Sequence, residues 1–101
     1  MDNSLRALSE VDRIIHEPAR ATLVAILYTL ESADFLYLQR ETGLTKGNLS
    51  AHLTKLEEAG YIKIEKTYQD KHPLTVVCLT IMGRQAFEKY RRRIIMMMER
   101  S

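Results

Sequence analysis

Apolar residues recur along this chain first at helical spacing and then at alternate positions, and the change of period divides it. Leu5, Leu8, Val11 and Ile15 fall three or four apart and predict an amphipathic helix over 4–16. Leu23, Ile26, Leu27 and Leu30 predict a core helix, with Pro18 in its first turn, where a missing N–H loses no intrahelical partner. Asp34 is placed to cap a short helix reaching about Thr42, and Gly43 supplies the left-handed position that ends it. Thr45 is the next N-cap; the capping box is incomplete because Asn48 stands where Glu or Gln would reach back. Leu49, Leu53 and Leu56 share one face of a helix that ends at Gly60. Beyond Gly60 the period falls to two. Ile62 and Ile64 alternate with Lys63 and Glu65 in a strand over 61–67, and 74–80 returns with Val77 and Leu79 on one side. Residues 68–73, YQDKHP, form the tip between them, and Thr80 can cap a long last helix from Ile81 to about Glu99.

This order predicts a mainly α fold with a small β-hairpin, a winged helix-turn-helix in one domain over 1–101, with dimerising helices at both ends. The helix-turn-helix occupies 35–60. Its first helix packs through Leu36, Leu38 or both, and Leu44 plugs the angle between the two helices. The second helix turns Lys46, Gly47, Asn48, Ser50, Ala51, Thr54 and Lys55 away from or beside the leucine stripe. Small residues let a backbone approach bases closely. Asn48 can pair with adenine, Ser50 or Thr54 can reach a base edge or a phosphate, and Thr45 with the free N–H groups at the helix start can hold phosphate. Lys46 and Lys55 suit phosphate or guanine. Any solvated helix face would also be polar, so the weight rests on the three-helix pattern with its charged hairpin. His52 flanks the stripe, either as a packed histidine or as a phosphate contact. At the tip, Lys71 and His72 are the cations or potential cations for a wing along the DNA backbone. Lys63 and Lys66 at its base add field.

Composition limits the chemistry. With 46% hydrophobic and 28% charged residues the chain has the balance of a folded protein. Its net charge of +2 argues weakly for nucleic acid, and the distribution is uneven: −3 over 1–34, +1 over 35–72 and +4 over 73–101. Any nucleic-acid footprint is therefore local. The one cysteine, Cys78, lies in an apolar run and reads as a strand residue. His16, His52 and His72 are isolated, so no metal site and no cofactor is expected. No nucleophile, base and orienting group cluster in sequence, which argues against an enzyme. No apolar stretch is long enough to span a membrane, and the N-terminus lacks a signal peptide's pattern, so the cytoplasm is the expected location.

The string LTKGNLSAHLTKLEEAGYIKIEK, followed by KHPLTVVCLTIMGRQAFEKY, resembles the small winged-helix transcriptional regulators of the MarR and ArsR superfamily, in particular compact MarR-like proteins of about this length. The likeness runs from HEPAR at 16–20 to the last helix. It implies that the helix carrying Asn48, Ser50, Ala51, Thr54 and Lys55 enters the major groove, that 68–73 is the wing, and that the first and last helices form a dimer. The group's "LT..G..AF" element appears here as Leu79, Thr80, Gly83, Ala86 and Phe87. One departure is Leu74, where the group usually has an arginine after the wing proline. MarR-like relatives often bind small aromatic ligands between the dimerising helices and the DNA-binding lobes. A small-molecule effector is thus a further expected partner, with Tyr28, Phe35 and Tyr37 as pocket residues or as ordinary core packing.

In the last helix Phe87, Tyr90, Ile94 and Met97 or Met98 fall on one side, and Arg91, Arg92 and Arg93 precede an IIMMM run. Five consecutive apolar residues cannot all face one small core, so a second copy is the economical partner, joined by Leu5, Leu8, Val11 and Ile15. The expected function is that of a sequence-specific double-stranded DNA-binding transcriptional regulator, a repressor, acting as a homodimer through helix 46–59 and wing 68–73. The alternative is a winged-helix protein-interaction module that does not bind DNA. The acidic first third and Leu74 favour that alternative.

Overall fold

The computed structural model describes residues 11–100. The elements run α1 (Pro18–Leu30), β1 (Ser32–Asp34), α2 (Phe35–Thr42), α3 (Lys46–Glu58), β2 (Ile62–Gln69), β3 (His72–Leu79) and α4 (Ile81–Arg100). The mainly α fold with a wing stands.

Leu5 and Leu8 lie outside the described residues. The expected helix over 4–16 does not extend through 11–16, which form turns. Two local causes are visible. Asp12 Oδ1 accepts from the amides of Ile14 and Ile15 at 2.8 and 3.2 Å, a side-chain turn that competes with helix. Pro18 then holds Glu17 extended, at φ −145° and ψ 131°, because a residue before proline avoids the helical region. Glu17 uses that geometry to cap α1, accepting from Ala19 N and Arg20 N at 3.1 and 2.9 Å. Val11 and Ile15 are buried by the chain itself, Ile15 completely.

Caps at the other helices follow the sequence. Asp34 accepts from Tyr37 N at 2.8 Å, Gly43 ends α2 at φ 71°, and Thr45 accepts from Asn48 N at 3.1 Å. Thr80 Oγ1 accepts from Gly83 N at 2.9 Å and donates to Gly60 O at 2.7 Å, so it both caps α4 and ties it to the end of the α3 turn. Leu23, Val24 and Leu27 of α1, Leu38 of α2, Leu49, Leu53 and Leu56 of α3, and Ile62 and Val77 of the sheet form the core. Leu44 packs against it from the turn. Two expected core leucines do not join it: Leu30 and Leu36 are 45% and 66% exposed. Each sits at an end of its helix, where the stripe has run past the neighbouring element.

The sheet has order β1-β3-β2, antiparallel throughout. Strand β1 was not expected. It is three residues long and adds to the far edge of β3, pairing Ser32 with Cys78 and Asp34 with Val76. The hairpin is also longer than the alternation suggested. Tyr68 pairs with Pro73 and Gln69 with His72, so the six-residue tip reduces to a two-residue turn, Asp70-Lys71. Both turn residues have positive φ, 51° and 66°, the conformation that suits a tight hairpin to the strand twist. Pro73 is tolerated because Gln69 and His72 form the hydrogen-bonded closing pair, so position 73 points its nitrogen away from β2. Strand β1 does not reach that far.

Candidate nucleic-acid interface

Helix α3 separates its two faces sharply. Leu49, Leu53 and Leu56 are 0%, 2% and 0% exposed, while Lys46, Asn48, Ser50, Ala51, Thr54 and Lys55 are all exposed, as is Thr45 at its cap. None of these outward side chains is used to hold another element; Thr54 Oγ1 only donates back to Ser50 O at 2.9 Å within the helix. Gly47 has open space around the position of an added Cβ, so the backbone there is approachable.

The wing stands beside this helix. Between them opens a groove of about 580 Å³, lined by Lys46, Ser50 and Thr54 from α3, Lys66, Leu74 and Thr75 from the wing, and Phe35, Leu36 and Gln39 from α2. Lys46 and Lys66 make the lining basic, Asp34 adds a carboxylate, and Leu74 is apolar where an arginine would have added a cation. Lys71 and His72 are exposed at the wing tip. Lys63 is engaged instead with Glu65 at 3.1 Å, an exposed pair that removes it from the free basic field at little gain in stability.

His52 turns out to be bound into a network that the sequence did not expose. Its Nδ1 lies 3.1 Å from Arg20 Nη1 and 3.5 Å from Glu17 Oε2, and Arg20 Nε donates to Ile14 O at 2.6 Å. Burial pushes the Glu17 carboxyl up. The amides of Arg20 and Ala19 and the Arg20 charge outweigh this and hold it below the ordinary carboxylate range. The hint in sequence was a glutamate directly before Pro18, a position that must be extended.

The α4 residues assigned to an interface divide. Phe87 packs on the core with its ring tilted 47° to that of Tyr28, centroids 5.0 Å apart, and Tyr90 OH lies 3.0 Å from His16 Nδ1. Both therefore make contacts within the chain. Ile94 and Met97 are half-buried, whereas Ile95, Met96 and Met98 are 45%, 48% and 69% exposed. Of the three aromatic pocket candidates, Phe35 lines the groove, Tyr37 packs on the core and Tyr28 lies beneath Arg84, 4.6 Å from its ring centroid. Among the described residues, no three His, Cys, Asp or Glu side chains gather as a metal would need, and no helix is long and apolar enough to cross a membrane.

Residues 19–98 match the family model of the winged helix DNA-binding domain. An uncharacterised protein of Methanocaldococcus jannaschii is 38% identical over 78 residues, covering 77% of this chain and 85% of that one. The solved transcriptional regulator homologue from Pyrococcus horikoshii OT3 superposes with a TM-score of 0.88 at 26% identity, covering 97% of this chain and 96% of that one. NadR in complex with 4-hydroxyphenylacetate shares the fold at a TM-score of 0.70 and 20% identity, over 91% of this chain and 62% of that one. A solved ArsR family transcriptional regulator shares the fold at a TM-score of 0.58 and 14% identity, over 96% of this chain and 92% of that one. The chain, with its recognition-type helix, short turn and wing, belongs to the winged helix DNA-binding domain family.

Proposed function

We propose that this protein is a sequence-specific double-stranded DNA-binding transcriptional regulator, a repressor, which binds as a homodimer in the cytoplasm. The observation that carries this reading is α3, where Lys46, Asn48, Ser50, Ala51, Thr54 and Lys55 are exposed and bond no other element while the leucines are buried. Asn48 and Ser50 read base edges in the major groove. Thr45, Lys46, Thr54 and Lys55 hold the helix on the backbone, Ala51 permits close approach, and Lys71 and His72 place the wing. The dimer is built on α4 from Ile94 to Met98, where Ile95, Met96 and Met98 are exposed, with Phe87 and Tyr90 supporting it from within the chain. Two copies would present their α3 helices about 34 Å apart, one DNA turn. Occupying a promoter in that way blocks transcription.

A small-molecule effector fits this reading. NadR was solved with an aromatic acid bound. Here an open cleft of about 480 Å³ lies where α4 meets the wing base, lined by Asp12, Tyr61, Lys89, Tyr90 and Arg93 among others. The apolar side chains of Leu36 and Leu74 in the groove lining favour the second reading, a protein-interaction module, because they suit an apolar side chain of a partner.

Fluorescence anisotropy on duplex fragments separates the two. Replacing Asn48 or Ser50 is expected to reduce discrimination among sequences, and replacing Lys55 to weaken all duplexes alike. Loss of binding to a protein partner on Leu36→Ser, with no duplex bound at low salt, would transfer the assignment to the second reading. Light scattering tests the dimer: truncation after Tyr90 should give monomers and lower DNA affinity, since tethered half-sites reinforce one another.

A further inference from the structure

Arg20 and Glu17 of the HEPAR segment contact one histidine of α3, and the chemistry of that contact determines which ring nitrogen carries the proton. We propose that His52 is a DNA-backbone contact whose Nε2–H donates to a phosphate at the edge of the major groove, and that Arg20, braced by Glu17, is the positioning residue that sets its tautomer. The proposal rests on the reading of α3 as the DNA-recognition helix.

Arg20 is clamped from three sides. Its Nε donates to Ile14 O at 2.6 Å, its Nη1 meets His52 Nδ1 at 3.1 Å, and Glu17 Oε2 lies 3.9 Å from that same Nη1. The side chain is only 12% exposed, so the guanidinium has little freedom. A guanidinium only donates and does not lose its proton, so His52 Nδ1 must accept. With Nδ1 accepting, the ring proton lies on Nε2. Glu17 Oε2, 3.5 Å from Nδ1, lies beyond ordinary hydrogen-bond length and does not compete for a proton there.

The Nε2–H so created has no hydrogen-bond partner among the described residues. The side chain is 23% exposed. Asn48 and Lys55, four residues before and three after, are exposed on the same flank of α3, opposite the flank of Lys46, Ser50 and Thr54 that faces the wing. A strand of DNA whose bases meet Asn48 would pass its phosphates along this flank. The Glu17 carboxylate does not repel that phosphate strongly. It is occupied by the amides of Ala19 and Arg20, balanced by the Arg20 charge, and set at the positive end of the α1 dipole. A strap that merely joined α1 to α3 would need Nδ1 alone and would be indifferent to Nε2.

Glutamine and asparagine separate those two roles. The amide nitrogen of glutamine reaches roughly where Nε2 stands, and that of asparagine reaches only as far as Nδ1. Anisotropy titrations on a bound duplex should show His52→Gln within about threefold of wild type, and His52→Asn and His52→Leu weaker by roughly tenfold on every sequence. Arg20→Gln should weaken binding in the wild-type background and add nothing to His52→Leu. Nitrogen-15 ring spectra of the free protein should place the His52 proton on Nε2. Thermal unfolding checks that the variants remain folded, and the Gln/Asn pair decides the matter should His52→Leu not fold. Unchanged affinity in His52→Asn and His52→Leu, or a ring proton on Nδ1, overturns this assignment while leaving α3 as the recognition helix. Failure of the wild type to bind any duplex overturns both together.

Discussion

Gly83, in the first turn of α4, lies against the carbonyl of Tyr61, where the chain leaves the α3 turn and enters the wing. A Cβ at position 83 would overlap the Tyr61 carbonyl oxygen and stand 2.8 Å from Leu79 Cδ1. The same carbonyl accepts from Thr80 N at 3.0 Å. The base of the wing and the start of α4 are therefore one packed joint, and it orients the wing relative to the helix that carries the exposed apolar run.

Gly83→Ala should destabilise the protein despite alanine's better helix propensity. The propensity gain is about 1 kcal/mol, whereas forcing extra atoms into a packed contact with backbone costs about 1–3 kcal/mol. Urea denaturation measures the difference. A variant as stable as the parent would show that the joint can open without loss.

Tyr61 makes a second connection at this joint, its hydroxyl donating to Asp12 Oδ2. Burial, then the hydrogen bond to Asp12 and its negative charge, push the Tyr61 hydroxyl up to about 12 from 10.0. A pKa raised by folding means the protonated form is favoured in the folded state, so its contribution is whole below about pH 10 and disappears as pH rises through about 12. Tyr61→Phe should cost roughly 1 kcal/mol at neutral pH, and the gap from wild type should close over that alkaline window. A gap independent of pH would contradict the pairing.

Lys71 separates folding from function within one side chain. It holds φ 66° in the hairpin turn, a conformation that costs a side chain with a Cβ roughly 1–2 kcal/mol. Lys71→Gly should therefore stabilise the fold. If Lys71 neutralises a phosphate, the same change should weaken all duplexes and lower the slope of log affinity against log salt by about 0.9 for each phosphate left without its cation. A stabilised protein with an unaltered salt slope would remove the wing tip from the interface.

What the sequence made legible was local. Asp34, Thr45 and Thr80 each cap a helix through a bond to the amide three residues on, and Gly43 needs only its own φ, so neighbouring residues were enough to place them. The stripe Leu49, Leu53, Leu56 was equally clear because one face of α3 is wholly buried. Features that depend on distant partners were not visible. Ser32–Asp34 becomes a strand only because β3 offers its edge, and the ring of His52 is set by Arg20 and Glu17 on another helix. The hairpin's length was hidden for a different reason: beyond Ile64 every residue of β2 is exposed, so no apolar alternation marks that strand. At 11–16 the apolar spacing of Val11 and Ile15 was real, and both are buried, but Asp12 and Pro18 impose turns instead of helix.

Selection of bound duplexes from a random pool with the full chain, followed by anisotropy on the enriched sequence, tests the central claim most directly. The account predicts an enriched near-palindrome with half-sites about one helical turn apart, bound saturably by a dimer, with Asn48 variants losing preference at particular base pairs. A pool that remains random, with no saturable binding to any duplex at low salt, would contradict it.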